Sequence, residues 1–179
     1  MKMHLLLLLV GLLVQGTATA KSGTNNLMYS YAELGFVDVG GNGGDAFRVG
    51  GSHRFHKNWL VVGGATLLTG NNSDETVSDV GAGYVLNYKK NFDLVSTFRF
   101  VKDSGAGENG YAFSAGVRRL LAPQFEVRGS INHLSIANGD TYLELGGDYY
   151  FSDRLSAGAS LQLAGDSDTF MIGARWFFR

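Results

Sequence analysis

Apolar residues recur at every second position along most of the chain, in runs separated by polar or glycine-rich segments. A period of two is the pattern of β-strands, in which successive side chains point to opposite faces. After residue 20, no segment shows the i, i+3, i+4, i+7 recurrence of an amphipathic helix. The chain also has 26 glycines, and glycine weakens helices. The pattern therefore predicts an all-β fold.

Short polar turns, each followed at once by an apolar residue, divide the chain at nearly constant intervals. Their spacings are 32, 33, 33 and 30 residues, and they end at Asn26, Asn58, Asn91, Gln124 and Arg154. A glycine-rich or acidic segment divides each interval again, at 40–45, 70–75, 103–110, 137–140 and 165–168. Five intervals of two strands predict a transmembrane antiparallel up-and-down β-barrel of about ten strands, with eight as the alternative.

The two faces of the predicted strands differ in polarity. Counted from each tight turn, every second residue is apolar, as in Trp59, Val61 and Leu67 of the third strand. The first strand is ambiguous, because counting from Asn26 turns Glu33 to the apolar side unless a bulge shifts the phase. With Ser30, Ala32, Leu34 and Phe36 outward instead, six acids and six arginines share one face, namely Glu33, Arg48, Arg54, Asp79, Asp93, Arg99, Arg118, Glu126, Arg128, Glu144, Asp148 and Arg175.

This charge distribution decides between a membrane barrel and a soluble one. A soluble lipocalin-like barrel has its apolar side chains inside, whereas an arginine that faces lipid at the bilayer midplane costs roughly 2–4 kcal/mol. We therefore expect the charges to line the lumen and the apolar face to meet lipid. A solenoid would give a similar period, but the intervals share no stacked consensus.

The interior has two interpretations. Buried charges must be paired, so six acids and six arginines favour a mostly filled lumen, as in narrow barrels. Small inward residues such as Gly50, Gly64 and Gly146 leave space for a narrow polar channel instead. We predict a structural or narrow porin-like, small-solute role, with an interior filled by paired charges.

Residues 1–20 have the pattern of a signal peptide. A basic start precedes an apolar run from Leu5 to Val14, and Ala18-Thr19-Ala20 matches the small-x-small cleavage site. A bilayer-spanning helix needs about 20 apolar residues, which this run lacks. We expect cleavage after Ala20 and a single barrel domain at 21–179. The mature chain then has a net charge of about −2, which suggests no nucleic-acid partner.

The last strand alternates apolar residues and ends in an aromatic, with Phe170, Ile172, Trp176 and Phe178 on one face. This strand resembles the assembly signal of Gram-negative outer-membrane proteins. With the signal peptide and the hairpin repeat, the chain resembles the small Gram-negative outer-membrane β-barrel domain family of OmpA/OmpX-like and opacity-type proteins, over residues 27–178. The resemblance implies a cell outer-membrane location and contact with outer-membrane lipid and lipopolysaccharide. It also implies periplasmic chaperones and the barrel-assembly machinery as partners during biogenesis.

One local motif suggests chemistry. His133-Leu134-Ser135 resembles the His-x-Ser element of outer-membrane lipid A deacylases, where histidine activates a serine for attack on an acyl ester. No acid shares this strand face to orient His133, and the triad logic requires one. We therefore predict no catalytic, cofactor-binding or metal-binding residue and no enzyme activity. A lipid-modifying enzyme that uses His133 and Ser135 is the alternative.

Overall fold

Ten antiparallel strands form one closed barrel in the computed structural model, which describes residues 27–39, 44–69, 74–136, 139–165 and 168–178. The strands are β1 (Tyr31–Val39), β2 (Gly44–Arg54), β3 (Trp59–Thr69), β4 (Asp74–Lys89), β5 (Phe92–Asp103), β6 (Asn109–Ala122), β7 (Phe125–Leu134), β8 (Asp140–Tyr150), β9 (Leu155–Leu163) and β10 (Asp168–Phe177). Each strand pairs with its neighbours in sequence, and β1 pairs with β10 to close the barrel. The predicted ten strands are confirmed, and the alternative of eight is wrong. The predicted signal peptide and Asn26 lie outside the described residues.

The barrel has a turn end and a loop end. At the turn end, short connections join β2 to β3, β4 to β5, β6 to β7 and β8 to β9. Bulges shift the register beside two of these turns, near Lys89 and near Ala122. Segment 27–30 and Phe178 meet at the same end, where the Phe178 N–H donates to the Ser30 carbonyl at 3.0 Å. The remaining connections form the loop end.

The outer face of the barrel is apolar. Leu34, Val80, Phe100 and Ile131 are each more than half exposed, as core residues of a soluble barrel would not be. Among the described residues, no helix is long and apolar enough to cross a membrane. Because apolar side chains face outward and charged ones inward, the barrel is arranged to be surrounded by hydrocarbon.

The first strand corrects the count that began at Asn26. Leu27 and Tyr29 are almost completely buried inside the barrel, although that count turned Leu27 outward. Glu33 also faces inward, opposite Arg175 in the register, and the pairing of β1 with both neighbours contains no bulge. The count was wrong because residues 27–30 are not part of a strand, and β1 begins only at Tyr31. They lie in the lumen at the turn end of the barrel and lead into β1.

Candidate functional site

The lumen holds the charged residues in pairs and small networks, the deepest of which is centred on Glu126. This carboxylate is completely buried and accepts two hydrogen bonds from Arg118, at 2.6 and 2.9 Å. The Tyr150 hydroxyl donates a third at 2.5 Å. Two parallel guanidinium bonds hold a carboxylate more strongly than a single point charge does. The charges of Arg118 and Glu126 therefore balance within one buried unit.

A second network joins four strands just above this unit. Arg175 donates to Glu33 on the neighbouring strand and to Asp148 at 3.0 Å. Arg128 also donates to Asp148, and its Nε lies 3.7 Å from Glu144. The guanidinium groups of Arg175 and Arg128 therefore both bind the buried carboxylate of Asp148. The network contains two arginines and three acids, so its formal charge is 2 − 3 = −1.

A third network joins β2, β4 and β5. Asp79 on β4 accepts from Arg48 on β2 at 3.0 Å and from Arg99 on β5 at 3.2 Å. Arg48 also donates to the Thr66 hydroxyl at 3.0 Å. Two arginines and one acid give a formal charge of 2 − 1 = +1. Arg48 and Arg99 keep about a fifth to a quarter of their side-chain surface exposed.

A packed floor closes the turn end of the lumen, and Tyr29 lies at its centre. The Tyr29 ring lies between the guanidinium groups of Arg54 and Arg118, each 4.4 Å from the ring centroid. Its hydroxyl donates to Asp93 at 2.8 Å. Buried apolar side chains complete the floor, namely Leu27, Leu60, Val85, Leu120, Tyr150 and Phe177.

Sequence reasoning assigned no role to this floor. Tyr150 and Phe177 lie on the inward parity of β8 and β10, so the alternation already turned two large rings into the lumen. Tyr29 has the same parity as Glu33. Inward aromatic residues near one barrel end were therefore the available signal.

Above the floor, the lumen contains a cavity of about 550 Å³ that reaches the loop end of the strands. Its charged lining includes Arg48, Arg99 and Glu144, and its neutral polar lining includes Asn132 and Tyr142. Ligand pockets commonly occupy roughly 300–1,000 Å³. The interior is thus filled at the turn end and hollow above it, which differs from the mostly filled lumen that the sequence favoured. We call this cavity the vestibule.

The His-x-Ser motif does not form a catalytic pair. Nδ1 of His133 is 3.0 Å from the Thr141 hydroxyl on β8, and the Ser135 hydroxyl accepts from the Tyr111 N–H at 2.7 Å. His133 and Ser135 therefore engage different partners, and the enzyme alternative has no support. Among the residues described, no group of three or more His, Asp or Glu side chains is placed to hold a metal ion.

The predicted assembly residues lie on one face of the last strand. Phe170 and Trp176 are about half exposed on the outer face of β10, and Ile172 lies between them on the same face. Phe178 follows the strand, and its ring stacks on His53 of β2 with a centroid distance of 6.1 Å. The four side chains therefore form an apolar row beside the closure of the barrel.

Comparison with known proteins gives the fold. No protein-family model matches the chain, and no curated protein matches it in sequence. The barrel is similar to the solved structure of a KdgM porin in complex with disordered oligogalacturonate, with a TM-score of 0.59, 11% identity and coverage of 83% of this chain and 99% of that chain. It is also similar to a KdgM porin with a TM-score of 0.53, 9% identity and coverage of 83% and 99%. The chain therefore shares the closed β-barrel fold of these two structures.

Proposed function

We propose that this protein is an integral outer-membrane barrel with a porin-like role, in which small polar solutes enter the vestibule and the floor controls their passage. One observation carries the proposal: a charged cavity of about 550 Å³ lies above a packed floor, inside a barrel whose outer face is apolar. A polar lumen within an apolar barrel is the arrangement of porins. The fold shared with KdgM porins supports a role in handling solutes.

The location and the partners follow from the same proposal. The mature chain begins at Lys21, after cleavage behind Ala20, and contacts outer-membrane lipid and lipopolysaccharide. The barrel-assembly machinery and periplasmic chaperones act during biogenesis, and Phe170, Ile172, Trp176 and Phe178 form the signal that is recognised. The outward row of these side chains supports this assignment.

Access to the vestibule can be tested with thiol labelling, because the chain has no cysteine of its own. Tyr142→Cys places a thiol in the vestibule lining, and Leu60→Cys places one in the floor, where Leu60 is buried. A polar thiol reagent that cannot cross a bilayer should label the first variant on intact cells and leave the second unlabelled. Absence of labelling at Tyr142→Cys would contradict the proposal.

Passage through the floor can be tested in planar bilayers. The wild-type barrel should give little conductance, because Leu27 and Tyr29 fill the turn end of the lumen. The double variant Leu27→Ala/Tyr29→Ala should give discrete conductance steps, since it removes both side chains while leaving every strand intact. Tyr142→Ala is the matched control, because it enlarges the vestibule above the floor. If none of the three proteins gives conductance steps, a structural role for the barrel would remain.

A further inference from the structure

The two walls of the vestibule carry opposite charge. The network of Arg48, Asp79 and Arg99 belongs to β2, β4 and β5 and has a formal charge of +1. The network around Asp148, which includes Glu144, belongs to β1, β7, β8 and β10 and has a formal charge of −1. In the closed strand order, β8 lies three strands beyond β5 in one direction and four beyond β2 in the other. Glu144 on β8 therefore lies across the lumen from Arg48 and Arg99, whereas Glu33 of the same network lies on β1, beside β2.

The positive wall offers unused donors to the cavity. Arg48 and Arg99 both line the vestibule, and one carboxylate, Asp79, is shared between them. Their side chains keep 24% and 21% of their surface exposed, so part of each guanidinium-bearing side chain is accessible from the cavity. Two guanidinium groups around a single acid can each bind a further carboxylate, and such charge-assisted bonds are among the strongest hydrogen bonds in proteins.

The negative wall offers an acceptor. Glu144 lines the vestibule and keeps about a fifth of its side-chain surface exposed. The one ion pair of Glu144 within the described residues is with Arg128, at 3.7 Å, and Arg128 is bonded more closely to Asp148. Tyr142, Glu144 and both arginines of the positive wall line the same cavity.

We propose that the vestibule binds small zwitterions, with the carboxylate of the solute on Arg48 and Arg99 and its ammonium group on Glu144. This inference rests on the proposed function only in that solute must reach the vestibule. A simple anion would satisfy the positive wall but would face Glu144, and a simple cation would face the arginines. A molecule with opposite charges at its two ends satisfies both walls. Because the electric field across a narrow lumen is weakly screened, this field also orients the bound solute.

Binding can be measured without conduction, by amide NMR spectroscopy of the refolded barrel in detergent micelles. The probes are ω-amino acids of increasing length, namely glycine, β-alanine, γ-aminobutyrate and ε-aminocaproate. Butyrate and butylammonium are the single-charge controls for γ-aminobutyrate. We expect saturable shifts in β2, β5 and β8 for the ω-amino acid whose length matches the distance between the walls. Its affinity should be at least several-fold above that of either single-charge control.

Two variants identify the two ends of the site. Glu144→Gln should reduce the affinity for the best ω-amino acid to that for the matched carboxylate, and Arg99→Gln should reduce it to that for the matched amine. Asp79 keeps Arg48 as its partner in the second variant, so its charge stays paired. Arg119→Gln removes an exposed charge outside the barrel and should change nothing.

The outcomes separate this inference from the proposed function. Equal affinities for the ω-amino acids and the single-charge controls, or a preference that survives Glu144→Gln, would overturn the zwitterion site. That result would leave the vestibule and its floor as proposed if Tyr142→Cys is labelled on cells. Saturable, length-dependent binding that each variant reduces to the level of a single-charge control, and that Arg119→Gln preserves, would establish the site.

Discussion

Glu126 is a single residue on which the base of the lumen depends. Its buried carboxylate pairs with Arg118, and the Arg118 guanidinium also packs on Tyr29. Removing one partner of a buried ion pair leaves the other charge uncompensated, at a cost of roughly 3–5 kcal/mol. We expect Glu126→Gln to lower the free energy of unfolding by about that amount, measured by guanidinium titration of the barrel in lipid vesicles.

The matched control for this prediction is Glu144→Gln, which also removes one lumen carboxylate. Glu144 is partly exposed and its ion pair spans 3.7 Å, and exposed pairs contribute only about 0–1 kcal/mol. Equal losses of stability in the two variants would mean that burial does not distinguish the two carboxylates.

At the scale of an element, β3 depends on a glycine at its centre. A Cβ added at Gly64 would lie 2.8 Å from Nη2 of Arg48 and 2.9 Å from the Val49 carbonyl oxygen. The side chain can shift, but the backbone of the paired strand cannot do so freely. Because overpacking costs about 1–3 kcal/mol, we expect Gly64→Ala to reduce the free energy of unfolding by that amount.

Gly129→Ala in β7 is the control for the strand effect. A Cβ at Gly129 would approach the Leu145 side chain, at 3.2 Å, on the outer face, where that side chain can turn into the lipid. We expect a change within about 0.5 kcal/mol, as for most surface substitutions. A loss at Gly129→Ala as large as that at Gly64→Ala would show that glycine is needed for strand flexibility rather than for space.

The sequence alone predicts the strands and their faces but not the contacts between distant strands. Ten strands and their two faces follow from the turn spacing and the alternation, because a period of two fixes which side chains share a face. The partners of each charge do not follow, since Arg175 and Glu33 are 142 positions apart and meet only when the barrel closes. The floor was missed because the phase of segment 27–30 was counted from Asn26 as if it were a strand, whereas the first strand begins at Tyr31.

At the scale of the molecule, the end of the chain can contribute to assembly in the cell without contributing much to the stability of the folded barrel. Phe178 lies beyond β10 and contributes one backbone hydrogen bond and one ring contact to the closed barrel. If its main role is recognition by the assembly machinery, Phe178→Ala should lower the amount of folded protein in the outer membrane of cells. Refolding in detergent and the stability of the refolded variant should change little. Phe55→Ala, at another exposed ring of the turn end, is the control.

Because the barrel is apolar outside and charged inside, we expect the cost of a new charge on its outer face to depend on the depth of that charge in the bilayer. Leu145 lies on the outer face at the centre of β8, and Thr141 lies on the same face four residues nearer the loop end. An arginine facing lipid costs roughly 2–4 kcal/mol at the midplane and about 0–1 kcal/mol near the interface. We therefore expect Leu145→Arg to destabilise the barrel in vesicles by that larger amount and Thr141→Arg to have a small effect. In a soluble barrel both arginines would be hydrated, so equal and small effects would contradict a membrane-spanning arrangement of the strands.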